Sequence, residues 1–96
     1  MYITPEILDE FKGRMRITHS SEDDYLSSLL NTSYADIKSK CGPFDIKTEL
    51  RGRELVFERA RYSFNDALEY FDGNFLSQIL SFSLDNLPAG DVDEGV

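Results

Sequence analysis

The stretch from Leu55 to Phe71, LVFERARYSFNDALEYF, constrains this chain more than any other. Its apolar residues Val56, Phe57, Ala60, Phe64, Ala67, Leu68 and Phe71 recur at steps of three and four. At 100° per residue they share one face, which predicts an amphipathic helix of about five turns. A stripe this wide, carrying three phenylalanines, requires partner helices to cover it. The remaining segments read as what packs on this helix or leads to and from it.

Thr4-Pro5-Glu6 is a helix-start signal: a capping hydroxyl, a proline suited to the first turn, and an acid that complements the dipole. Ile7, Leu8 and Phe11 give this helix one apolar edge, and Gly13 is the expected stop. Met15 and Ile17, in the connector that follows, are expected to point inward. Ser20 or Ser21 is the expected cap of a second helix. Its apolar positions are Tyr25, Leu26, Leu29, Leu30, Tyr34, Ile37 and Cys41, and Gly42-Pro43 stops it. Phe44 to Leu50 has no period and reads as a loop anchored by Phe44. Thr48 or the Arg51-Gly52 region opens the central helix; Asp72-Gly73-Asn74 closes it, and Asn74 is a candidate cap for the next. Phe75, Leu76, Ile79, Leu80 and Leu84 predict a shorter final helix, with a strand as the rival reading where Phe82 and Leu84 alternate with serines.

The expected fold is therefore all-α: a small bundle of about four helices with a long central one. Ninety-six residues suit one domain, here 1–87, and the acidic, glycine-bearing residues 88–96 read as a flexible tail. Eleven acids and ten bases precede or include Arg61; seven acids and no Lys or Arg follow it, which gives the net charge of −8. That excess argues against non-specific nucleic-acid binding, which needs cations to neutralise phosphates. No apolar run is long enough to span a bilayer, and Met1 to Lys12 lacks the plan of a signal peptide. The single cysteine, Cys41, leaves no internal disulfide and suits a reducing compartment.

Catalytic chemistry finds little footing. His19 stands before Glu22, Asp23 and Asp24, but one histidine at a helix start is a poor ligand set, and acids there are accounted for by the helix dipole. Cys41 has no base nearby in sequence and reads as core packing. The glycines fit no phosphate-loop pattern. No catalytic, metal or cofactor-binding residues are assigned, and no cofactor is expected.

The central helix carries an oddity. Arg51, Arg53, Arg59 and Arg61 occupy its first half, and Asp66, Glu69 and Asp72 its second, opposite to what the macrodipole favours. Away from the main stripe, Leu55 and Tyr62 lie one above the other with Arg59, Asp66 and Tyr70 beside them. These five are the candidate subunit-interface residues. Basic ends meeting acidic ends of identical copies would give a head-to-tail contact of the kind that closes into rings; a solvated face with local Glu58–Arg61 pairing is the plainer account.

The run from Glu58 to Phe71, ERARYSFNDALEYF, with Asn74-Phe75-Leu76 and Ile79 to Leu84 after it, resembles the head–tail connector proteins of tailed bacteriophages. The order of elements agrees over residues 3 to 87: a short ITPE-type opening helix, an Arg16-Ile17-Thr18-His19 connector, an acid-started second helix, then a long third. The resemblance implies a non-enzymatic virion subunit, formed in the host cytoplasm, that assembles as about a dozen copies beneath the portal. Such a ring extends the DNA channel and docks a stopper or tail component. The implied partners are itself, the portal protein and the stopper or tail-completion protein, with DNA passing through unbound and no membrane. Without the resemblance, a small acidic binding module, regulatory or inhibitor-like, is the alternative.

Overall fold

A computed structural model describes residues 3–86. Five α-helices and one 3-10 turn make up the described residues, with no strand: α1 Pro5–Met15, α2 Asp23–Cys41, α3 Leu50–Phe64, a 3-10 turn Leu68–Tyr70, α4 Phe71–Asn74 and α5 Leu76–Asp85. The tail expected over 88–96 lies outside the described residues. The fold is a small all-α bundle, and Phe82 and Leu84 are helical rather than extended.

Helix α1 starts as its residues dictate, with the Thr4 hydroxyl accepting from the Ile7 amide at 3.3 Å and Pro5 in the first turn. It runs two residues past Gly13. The stop is Arg16, in the left-handed region at φ 61°, where the Arg16 amide reaches the Gly13 carbonyl and the Ile17 amide that of Lys12. This is a Schellman closure without glycine at its left-handed position. Met15 and Ile17 are half-buried against the core.

Helix α2 begins at Asp23 with no side-chain cap. Ser21, an expected cap, instead sits with its hydroxyl 2.8 Å from His19 Nδ1. The buried face is Leu26, Leu30, Ser33, Tyr34, Ile37 and Cys41, whereas Tyr25 is exposed. Gly42 ends the helix at φ 91°, a conformation open to glycine, and its amide closes on the Lys38 carbonyl. The loop that follows is pinned by Tyr34, whose hydroxyl donates to the Phe44 carbonyl and accepts from the Ile46 amide at 3.2 Å.

The central helix differs most from expectation. It opens at Leu50, between the two expected starts, where the Glu49 carboxylate accepts from the Arg51 amide, but it stops at Phe64 rather than Phe71. A second Schellman closure ends it: Asp66 adopts φ 58°, its amide reaching Ser63 and the Ala67 amide reaching Tyr62. The chain then folds back through the 3-10 turn into α4, so Phe71 is buried but does not extend the α3 stripe. Asn74 does not cap α5; its side-chain amide donates to the Tyr62 hydroxyl at 3.1 Å. The 3-10 turn and the start of α4 are thus the piece cut from the expected long rod. Because a left-handed residue with a Cβ is strained by about 1–2 kcal/mol, Asp66→Gly should be about 1 kcal/mol more stable than Asp66→Ala in denaturant unfolding. Equal midpoints for the two variants would contradict this.

One core joins the elements. Ile7 and Phe11 from α1, Leu26, Leu30 and Ile37 from α2, Val56, Phe57 and Ala60 from α3, Phe71, and Ile79 and Phe82 from α5 are all buried. Helix α3 lies at its centre, packed on α2 along most of its length and flanked by α5. At the far end, the Asn86 side-chain amide donates to the Cys41 and Pro43 carbonyls at 2.9 and 3.0 Å, tying the end of α5 to the end of α2.

Candidate functional site

The arginines of α3 explain their own placement. Arg51 donates to Asp85 at 2.7 Å and to Ser81; Arg53 reaches Glu10 at 2.8 Å and the Ile46 and Lys47 carbonyls. Arg59 reaches Asp36 at 3.0 Å and Ser33 at 3.2 Å on α2. Arg61 pairs locally with Glu58 at 2.8 Å. For Arg51 and Arg53, tertiary acceptors outweigh the few tenths of a kcal/mol that the dipole exacts for exposed cations at a helix start, whereas Arg61 lies in the last turn of α3, where the dipole favours it. Across the α1–α3 contact, Arg14 meets Glu54 at 2.6 Å and Glu58 at 3.8 Å. The hydrogen bond from Arg14 holds the Glu54 carboxyl below its ordinary range.

His19 and Cys41 lie at opposite ends of α2, whose 19 residues span roughly 27 Å. Among the described residues, no group of three or more His, Cys, Asp or Glu converges as a metal site would require. Cys41 is buried, its thiol donating to the Ile79 carbonyl at 3.6 Å. Burial pushes this thiol up, against the opposing charge of Lys40. Native protein should therefore react with a thiol-specific reagent at least tenfold more slowly than denaturant-unfolded protein. Equal rates would place Cys41 outside the core.

The concave surface follows one side of α3. A groove of about 530 Å³ opens between α3 and α5, lined by Arg51, Glu54, Leu55 and Glu58 on one side and by Phe75, Ser77, Gln78, Ser81 and Phe82 on the other. Further along α3, a notch of about 150 Å³ is lined by Arg61, Tyr62, Asn65 and Ala67. Positions 51, 54, 55, 58, 61, 62 and 65 keep helical spacing, so both concavities belong to one flank of the helix.

The five candidate interface residues fall in different places. Leu55 is buried at 4% exposure and contributes to the groove floor. Tyr62 is half-buried, its ring edge-on to Phe71 at 5.8 Å and to Phe75 at 5.6 Å. Arg59 is drawn to α2 and away from the groove. Asp66 occupies the left-handed turn and is exposed, as is Tyr70. The structure therefore does not assemble the five into one outward patch: helix α5 and the folded-back turn occupy part of the flank.

Sequence reasoning missed a second surface. Ile79 and Phe82 bury α5, while Leu76, Leu80 and Leu84, which with Phe75 and Ile79 predicted the helix, point outward at 54, 53 and 69% exposure. They form a ridge at i, i+4 and i+8. The available signal was the absence of any charge between Asp72 and Asp85: an exposed helix ordinarily shows charged residues to water.

The fold and surface define a small all-α protein with a continuous core, a concave flank along α3 and an outward leucine ridge on α5. The family model for phage gp6-like head-tail connector proteins matches residues 5–69, well over half of the chain. The chain belongs to that family, and is thereby a structural protein of a bacteriophage particle that interacts with other head or tail proteins. The matched span runs from α1 to the 3-10 turn and ends before α4 and α5. No curated protein and no solved structure matches the chain.

Proposed function

We propose that the protein is a head–tail adaptor without catalytic activity. It assembles as a ring of about a dozen copies beneath the portal, extends the DNA channel and docks the stopper or tail component. Membership of the connector family carries this reading. Support comes from the surface: a concave flank along α3 and a leucine ridge on α5 leave apolar groups in water that an assembled particle would cover. The contact flank takes in Leu55 on the groove floor, Tyr62 in the notch, and Asp66 and Tyr70 at the turn, with Arg59 bracing α3 from behind through α2. The net charge of −8 suits a conduit through which DNA slides without sticking. During assembly the subunit is expected in the host cytoplasm, and afterwards at the head–tail junction.

Electron microscopy of the purified protein mixed with portal rings tests this. The expected result is an added ring of density coaxial with the portal. A portal that remains bare at high subunit concentration, together with virions that lack the protein, would overturn the proposal.

A further inference from the structure

Helix α3 ends at a turn that its residues do not demand. Phe64, Ala67, Leu68 and Phe71 continue the apolar stripe of Val56, Phe57 and Ala60 at helical spacing, so the chain as far as Phe71 also fits one straight rod. It folds back only through residues 65–67, which hold no glycine or proline, and there Asp66 takes φ 58° with its Cβ in place. A short connection under strain is the setting in which a segment changes hosts. We propose that residues 65–67 are an exchange hinge: α3 straightens through them, and the α4–α5 arm of one copy packs on α2 and α3 of a second copy.

The contacts of the arm name its alternative host. Phe75 lies edge-on to Tyr62 at 5.6 Å and Phe82 edge-on to Phe44 at 5.3 Å, while Asp72 pairs with Lys40 at 2.8 Å and Asp85 with Arg51 at 2.7 Å. These partners stand on α2, on α3 and in the loop between them, and every copy presents them in the same form. An arm that leaves uncovers a surface whose shape and charges match this segment, and the arm of a second copy fits it contact for contact. Exchange therefore keeps Phe71, Ile79 and Phe82 buried and alters only the hinge. Straightening relieves the left-handed residue and adds intrahelical hydrogen bonds, against the freedom lost on association. The inference goes beyond the adaptor reading and stands on the fold alone.

Two hinge variants push in opposite directions. Asp66→Ala keeps the strain of the turn and favours a straight helix, whereas Asp66→Gly relieves the turn and disfavours the helix. Each chain is refolded from denaturant at up to millimolar concentration, its fold is verified by circular dichroism, and dimers are measured by sedimentation velocity. Asp66→Ala is expected to dimerise at least tenfold more tightly than Asp66→Gly, because a dimer contains two hinges. A mixing experiment then identifies the contact. Arg51→Glu and Asp85→Arg, each made in the Asp66→Ala chain, both set like charges between the arm and its own body. Refolded together, they are expected to dimerise at least fivefold more tightly than either alone, since only an arm-exchanged hybrid removes both clashes. Association through any other surface leaves each clash inside its own chain and gains nothing from mixing. The same pair with the natural hinge is expected to show the gain at higher concentration, so the result does not hang on Asp66→Ala. A mixture without gain would overturn the proposal, as would an Asp66→Gly chain that dimerises as tightly as Asp66→Ala. Rings on the portal without a mixing gain would reject the exchange and leave the adaptor reading; bare portals with the gain would do the reverse.

Discussion

Replacing Gly52 with alanine should destabilise the subunit by about 1–3 kcal/mol, although the same change in an exposed helix interior would stabilise it by nearly 1 kcal/mol. Gly52 is buried in the first turns of α3, and the Phe44 ring lies directly over it. A Cβ built at Gly52 falls within 3.0 Å of three Phe44 ring atoms. The ring has little room to retreat. It packs at 5.1 Å from Tyr34 and edge-on to Phe82 at 5.3 Å, and the Phe44 carbonyl is held by the Tyr34 hydroxyl. The loop between α2 and α3 would have to lift, or α3 would have to shift away from it. A double-mutant cycle tests the cause. With Phe44→Ala in the background, Gly52→Ala should lose its penalty and become neutral or stabilising in denaturant unfolding. A Gly52→Ala protein that melts above wild type would show that the ring yields freely.

Phe57→Ala should cost about 3–5 kcal/mol, the range for truncating a fully buried aromatic side chain. Phe57 has no exposed surface and holds α1 against α3. Its ring lies 5.5 Å from that of Phe11, with the Arg14 guanidinium 5.0 Å from its centre. Its loss leaves a cavity and strips Phe11 of its neighbour. Domains of this size are stable by only about 5–15 kcal/mol. Since each kcal/mol shifts Tm by about 4–8 °C, a fall of at least 12 °C is expected in a thermal scan. Phe64→Ala, at a half-buried position on the same stripe, should cost clearly less. Equal losses at the two sites would mean that α1 does not depend on the Phe57 contact.

Periodicity and stop signals were sufficient where the signal is local. The buried faces of α1 and α2 follow from their spacing, and Gly42-Pro43 marks the end of α2 because glycine readily takes the φ it needs there. The ends of α1 and α3 were misplaced for the converse reason. Their left-handed closing residues are Arg16 and Asp66, which carry no glycine signal. The candidate interface was legible only in part. Leu55 and Tyr62 do lie along one flank of α3, but Leu55 is buried, and Arg59 is engaged by Asp36. Nothing in the order of residues states which long-range partner a side chain will meet.

The sequence by itself determined that this is a helical domain and where its greasy residues recur, since both follow from repeats of three and four in the chain. Only the tertiary structure decided that the central rod breaks at Asp66. Ala67, Leu68 and Phe71 fit a straight helix and a folded-back one equally well in period. Turning back buries Phe71, Ile79 and Phe82 in the common core, a gain of several kcal/mol that outweighs the strain of one left-handed residue. The same turn leaves Leu76, Leu80 and Leu84 facing water, because once Ile79 and Phe82 point inward the helical pitch carries those three leucines outward.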